Sequence, residues 1–218
     1  MKRLTLSPAA DGTLRVLALG AHSDDVEIGC AGTLLRLADE VGCLAVEWVV
    51  FSADDEREAE ARASAGALLN GSTNTHLTVH HFRDGYLPAR AAAVKDAFEE
   101  LKSAAPPPDV VFTHFRGDAH QDHRLVGELT WQTFRDALIL EYEVPKYDGD
   151  LGAPNLFVPL PDATSRRKVD HLLGHFPSQH GNHWYSAETF RGLMRLRGIE
   201  SNATDGWAEA FYCRKVVI

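Results

Sequence analysis

No apolar run in the 218-residue chain approaches the roughly 20 residues of a membrane-spanning helix, so no integral membrane segment is expected. The stretch from Met1 to Pro8 lacks the long apolar core and small-residue cleavage site of a secretory signal. Cysteine is scarce. Cys30, Cys43 and Cys213 stand alone, with no Cys-x-x-Cys pair. That argues against a cysteine-rich zinc module and for reduced thiols in a cytoplasmic protein. Basic charge is also short, with 22 Lys and Arg against 31 Asp and Glu and a net charge of -9. Phosphate contacts need a basic surface, so nucleic acid is not expected as the main partner. Finally, Gly-x-Gly-x-x-Gly is missing after the first strand, where Gly20-Ala-His-Ser-Asp-Asp stands instead. Carboxylates there would repel a pyrophosphate, which argues against a dinucleotide-binding enzyme.

What is present reads as an α/β protein. A hydrophobic content of 44% and a charged content of 24% are ordinary for a globular chain, and this length suits a single domain over 1–218. Short apolar strands at 15–20, 43–52, 75–82 and 109–114 alternate with helical stretches at 29–38, 54–69, 89–105 and 122–138. Such alternation implies βαβ units and a largely parallel central sheet with helices on both faces, a three-layer α/β/α arrangement. The last third is less regular, with strands expected at 138–144, 155–160 and 208–217 and helices near 166–174 and 186–198.

Two polar clusters interrupt this pattern. His22-Ser23-Asp24-Asp25 follows the first strand directly, at the edge where open α/β sheets keep their ligand sites. A helix cap by Ser23 or Asp24 would account for one small polar residue, not for a histidine beside two carboxylates. The second cluster, His114-Phe-Arg-Gly-Asp118-Ala-His120-Gln-Asp122-His123, follows the fourth strand. The simplest reading is one metal site shared by the two loops. His22, Asp25 and His123 would supply two imidazoles and a carboxylate, leaving a fourth position for water. Asp24 is left over as the base for that water. His76, His80 and His81 alternate between strand faces and read as structural or surface residues. Two rivals stay open: a phosphoesterase using Asp118 and His114 at a second metal, and a non-catalytic module with four protein ligands.

The motifs resemble a known family. Ala21-His22-Ser23-Asp24-Asp25 matches the AHxDD motif of the LmbE-like, PIG-L-type zinc N-deacetylases, and His120-Gln121-Asp122-His123 matches their HxDH motif. Arg57-Glu-Ala-Glu60 resembles the family's RxxE helix, Asp84-Gly85 its Asp-Gly turn, Ser178-Gln179 its late Ser-Gln pair and Ala208-Glu-Ala-Phe211 its closing strand. Leu69-Asn70-Gly71 departs from the usual Leu-Gly. The resemblance implies a Rossmann-like fold and hydrolysis of an N-acetyl group, usually on a small amino-sugar substrate. It implies Zn²⁺ on His22, Asp25 and His123, with Fe²⁺ able to use the same ligands. Asp24 would be the base and His120 the acid, supported as an imidazolium by Asp122. Arg57 and Asp84 would hold the substrate. The sequence leaves a homo-oligomer open.

Overall fold

The computed structural model describes residues 2–69 and 74–217, so the departure at Asn70-Gly71 lies outside the described residues. In chain order the elements are β1 (Leu14–Gly20), α1 (Asp25–Glu40), β2 (Leu44–Val50), α2 (Asp55–Leu68), β3 (Asn74–Val79), α3 (Ala91–Ala104) and β4 (Val110–His114). They continue with α4 (Gln121–Thr133), β5 (Leu138–Tyr142), β6 (Leu156–Leu160), α5 (Asp162–His175), α6 (Ala187–Glu200) and β7 (Trp207–Cys213). Seven strands form one sheet in the order β3-β2-β1-β4-β5-β7-β6. The run from β3 to β5 is parallel, and β7 lies antiparallel between β5 and β6.

The continuous apolar character of β1 follows from burial on both sides, since alternate residues point to opposite faces. Val16 and Ala18 join a core with Trp48, Phe112 and Leu140, covered by Leu34 of α1 and Leu172 of α5. Leu17 and Leu19 join the opposite core with Val49, Val111 and Ile139, covered by Val94 and Phe98 of α3 and Val126 of α4. Each fully buried side chain of this kind contributes about 1.5–3 kcal/mol of burial free energy. α1 approaches the sheet so closely that a methyl group on Gly29 would overlap the Tyr142 ring. The Tyr142 hydroxyl in turn donates to the Leu19 carbonyl at 2.6 Å, tying β5 to the end of β1.

Several element ends differ from the sequence expectation. α1 starts at Asp25 rather than Gly29, because Asp25 and Glu27 belong in a first turn that favours negative charge. α4 stops at Thr133 rather than 138, where Phe134 turns inward to pack near Phe98. β7 ends at Cys213, the last residue paired with β5. A short 3-10 turn at Leu87–Arg90 precedes α3, and another at Pro177–Gln179 follows α5.

The sheet order reverses direction between β1 and β4. The chain leaves β1 toward β2 on one side, and leaves β4 toward β5 on the other. That divergence opens a crevice at the strands' carboxyl ends. Both polar clusters empty into it.

Candidate active site

His22, Asp25 and His123 meet at this crevice although a hundred residues of sequence separate the two loops. His22 Nδ1 lies 3.1 Å from His123 Nε2. Asp25 Oδ2 is 3.3 Å from His22 Nδ1, and Asp25 Oδ1 is 3.5 Å from His123 Nε2. Four ligands placed tetrahedrally at zinc–nitrogen distances stand about 3.3 Å from one another. The three separations therefore match a common ion. The partners on the far side of each ring point the same way. His123 Nδ1 faces the Asp118 carboxylate at 3.0 Å, and His22 Nε2 faces Asp84 at 2.9 Å. A carboxylate on one ring nitrogen holds the proton there and turns the other lone pair inward. Two imidazole lone pairs and a carboxylate then converge on one point, an arrangement that suits a cation.

Other combinations are less well suited. Asp25, His114 and His123 offer ligand atoms within 4.8 Å of one another, as do His22, His120 and His123, and His22, Asp84 and Asp122. His114 Nε2, however, accepts the Ala21 N–H at 2.9 Å. Asp122 accepts from Gly85 N at 2.7 Å and Leu87 N at 3.1 Å. Those acceptors are already in use. A positive φ of 75° at Gly85 lets the turn present both amides to Asp122.

Asp24 occupies the N-cap position of α1, yet its side chain makes no capping hydrogen bond. Its Oδ1 takes Arg57 Nη2 at 3.1 Å, and its Oδ2 is buried without a hydrogen-bond partner. Burial and the neighbouring Asp25 push this carboxyl up to about 6, against the pull of Arg57 and His22. Asp25 goes the other way. Burial opposes its ionisation, but the imidazoles of His123, His114 and His22 carry it well below the carboxylate range. Burial likewise lowers His123 to about 4, helped by His114, while the carboxylates around His22 raise it despite burial. Adjacent carboxylates have been driven in opposite directions.

His120 and Asp122 differ from expectation. Burial and His22 lower the His120 imidazole, outweighing the pull of Asp122, so the imidazolium is disfavoured. The Asp122 carboxylate is committed to the Gly85–Leu87 turn, and it is the Asp122 backbone N–H that reaches His120 Nδ1, at 3.3 Å. His120 thereby caps α4 and is left with Nε2 as its proton-bearing atom. Arg57 and Asp84 sit directly on the cluster, one against Asp24 and the other against His22. His76, His80 and His81 turn elsewhere, to Glu47, to the Phe51 ring and to the Ala53 carbonyl.

Several further residues brace the site. Asp118 accepts from His120 N at 2.7 Å as well as facing His123, and Lys146 Nζ holds its other side at 2.9 Å. Asp150 then ties Lys146 to Ala119 N, so the loop after β5 clamps the second cluster. Glu60, one turn beyond Arg57, receives Ser178 N at 2.9 Å and Ser178 Oγ at 2.6 Å. Ser23 Oγ is buried with no partner beside Asp24. Asp118, read from the sequence as a possible second-metal ligand, instead orients His123. Ser178 and Glu60 were marked only by the family resemblance, and Lys146 by nothing, since Asp118 lies far from it in sequence.

The family model described as PIG-L, GlcNAc-PI de-N-acetylase, matches residues 17–134, which contain both motif loops and Arg57 and Asp84. The chain belongs to the PIG-L family. Its match to the Escherichia coli protein named uncharacterized deacetylase YaiS is 31% identical over 142 residues, 60% of this chain and 74% of that one. Among solved structures, the conserved protein TT1542 of Thermus thermophilus superposes with a TM-score of 0.71 at 22% identity, covering 94% of this chain and 96% of that one. N,N'-diacetylchitobiose deacetylase of Pyrococcus horikoshii gives 0.68 at 20% identity, covering 93% and 84%. The PIG-L match ends before Lys146, Ser178 and β7, so the residues that clamp the site from the last third lie outside it. Among the described residues no helix is long and apolar enough to cross a membrane.

Proposed function

We propose that this PIG-L family member is a metal-dependent hydrolase that removes the N-acetyl group from a small amino-sugar substrate, releasing acetate and a free amine. The observation that carries the reading is the convergence of His22 Nδ1, Asp25 and His123 Nε2 at 3.1–3.5 Å, beside a buried Asp24 oxygen with no partner. The deacetylase relatives support the reaction class, and the family's description and the chitobiose deacetylase support an amino sugar. Zinc suits the donor set of two imidazoles and one carboxylate, and Fe²⁺ accepts the same ligands.

A divalent ion held by these three residues would supply a Lewis acid for the amide carbonyl and a water that ionises near neutral pH. The protein's own part is to place charge and protons around it. Asp24 takes a proton at Oδ2, while Arg57 holds Oδ1 and fixes the direction in which the free oxygen points. His120 Nε2–H donates a hydrogen bond to the oxygen that gains charge, and the proton collected by Asp24 passes to the departing nitrogen, which cannot leave as an anion. Asp122 holds the Gly85–Leu87 turn, so that Asp84 stands at the mouth with its side chain 63% exposed. Arg57 and Asp84 are the groups that would meet sugar hydroxyls. His114 Nε2 is occupied by the Ala21 amide, and the Asp118 carboxylate by His120 N, His123 Nδ1 and Lys146, which disfavours a second metal on these two residues and the phosphoesterase alternative.

The test is acetate release from a panel of N-acetylated sugars, sugar nucleotides and glycosides, with metal measured on the same preparation. About one metal per chain and acetate from at least one sugar are expected. His123→Ala should lose both together. Full metal occupancy in that variant would overturn the ligand set, and a loaded wild-type enzyme inactive on the whole panel would overturn the substrate class.

A further inference from the structure

Away from the crevice, a second concave site has its own chemistry. A cavity of about 330 Å³ lies between the second half of α4, the turn after β4 and the segment following β7, lined by Arg116, Glu128, Trp131, Arg135, Arg214 and Lys215, with Gln132 at its edge. Trp131 comes eight residues after His123 on α4, which places it about 12 Å further along the helix axis. This is not a corner of the hydrolytic site.

The indole of Trp131 is fixed from behind, because its Nε1 donates to the buried Glu141 carboxylate at 2.5 Å. Arg116 is held by the same carboxylate, its backbone N–H at 3.1 Å and its Nε at 3.3 Å. Around this ring gather Arg116 Cζ at 5.2 Å from the centroid, Arg214 Cζ at 5.7 Å and Lys215 Nζ at 5.7 Å. Arg135, Arg214 and Lys215 make no ion pair among the described residues. Four cations thus face one wall with only Glu128 and the occupied Glu141 as counter-charges, in a chain whose net charge is -9. Like charges gathered in a concavity repel one another unless an anion joins them. Planar guanidinium groups suit the paired oxygens of a phosphate, and an indole offers a flat apolar surface beside them.

We infer that this cavity binds a small molecule bearing one or two phosphate groups, with the phosphate oxygens among Arg116, Arg135, Arg214 and Lys215 and any ring lying against Trp131. The cavity's volume is at the lower end of small-molecule sites, which fits a compact ligand better than a polymer. The inference does not depend on the deacetylase reading, because none of these side chains has been placed in the hydrolytic site.

Calorimetric titration of the metal-loaded protein with inorganic pyrophosphate, and separately with a nucleoside diphosphate, tests it. The double variant Arg135→Glu, Arg214→Glu changes only exposed side chains without ion-pair partners, so folding and acetate release should be unaffected. Wild type should show a saturable event of one equivalent per chain that weakens about tenfold or more in the double variant. Glu128→Gln should instead tighten it, a change that damage to the fold could not imitate. Tighter binding of the nucleoside diphosphate than of pyrophosphate would mean that Trp131 stacks on a base. Equal affinity would assign the site to phosphate alone, and either supports it. Identical isotherms in wild type and double variant would overturn the inference.

Discussion

The two ends of this sheet treat buried charge in opposite ways. At the β1–β4 crevice, buried polar atoms are left without hydrogen-bond partners: Ser23 Oγ, Asp24 Oδ2, Arg57 Nε and His114 Nδ1. At the β5–β7–β6 end Glu209 and Glu143 are buried with their bonding capacity met. Glu209 of β7 accepts from Gly32 N, Thr33 N, Thr33 Oγ1 and Lys168 Nζ at 2.5–2.8 Å, and Lys168 also donates to the Ile28 carbonyl within α1. Glu143 collects Arg197, the Tyr212 hydroxyl and Gly152 N. A buried ion pair holds a structure in one arrangement only when its remaining bonding capacity is met. Unmet capacity is destabilising unless something is bound there. The difference separates a region kept open for chemistry from one that locks helix α1, and with it Asp25, against the sheet.

Substitutions can break or sharpen that contrast. The largest effect belongs to the open side. Asp24→Asn should lower turnover by about 10²–10⁴-fold while leaving metal content unchanged, read by steady-state kinetics and elemental analysis. A near-normal rate would reduce Asp24 to a partner of Arg57. On the saturated side, Lys168→Met leaves Glu209 buried without its cation. It should cost about 3–5 kcal/mol of stability in urea unfolding, with acetate release per folded molecule preserved. A loss of activity without a loss of stability would erase the distinction between the two regions.

Asp118 lies between the two. It belongs to the second motif loop, yet Lys146 satisfies it from the loop after the neighbouring strand β5. Asp118→Asn should weaken metal affinity by about 10–100-fold, measured by competition with a chelator, because His123 loses the carboxylate that holds its Nδ1 proton. Lys146→Met should weaken it less, and in the same direction.

The smallest effect concerns His171 of α5, which stands 2.8 Å from Ser64 Oγ and stacks on His175. Burial, with His175 and Arg167 nearby, lowers its imidazole to about 4. Between pH 6.5 and 4 the unfolded chain therefore holds more protons at this position than the folded one. Stability falls as pH is lowered through that window. His171→Gln should flatten the dependence of the urea midpoint between pH 7 and 5, with little change at pH 7. An unaltered slope would show that the groove between α2 and α5 is as tolerant of charge as solvent.

Much of this was legible because the information was local. The run from Arg15 to Gly20 shows a strand buried on both faces, and the alternation of such runs with helical stretches shows a parallel sheet. The clusters His22–Asp25 and His114–His123 advertise themselves by residue type within a few positions. Chain ends of elements were less legible. The inward turn of Phe134 against Phe98 ends α4 early, and no propensity of residues 134–138 announces it. The partnership expected between Asp122 and His120 was a reading of adjacency. In the fold the same carboxylate is closer to the amides of Gly85 and Leu87, and backbone donors that must be satisfied take it.

By itself the sequence determined the layer architecture and the two loops rich in metal-ligating side chains, both properties of residue type and spacing along a few turns or strands. Only the tertiary structure decided which nitrogen of each imidazole faces inward, which of two adjacent carboxylates is raised and which lowered, and that Lys146, Ser178 and Glu209 reach back to brace the motif loops and α1. Those outcomes depend on burial and on partners tens to more than a hundred residues away. Electrostatic energies set by distance and solvent exclusion have no counterpart in a linear pattern.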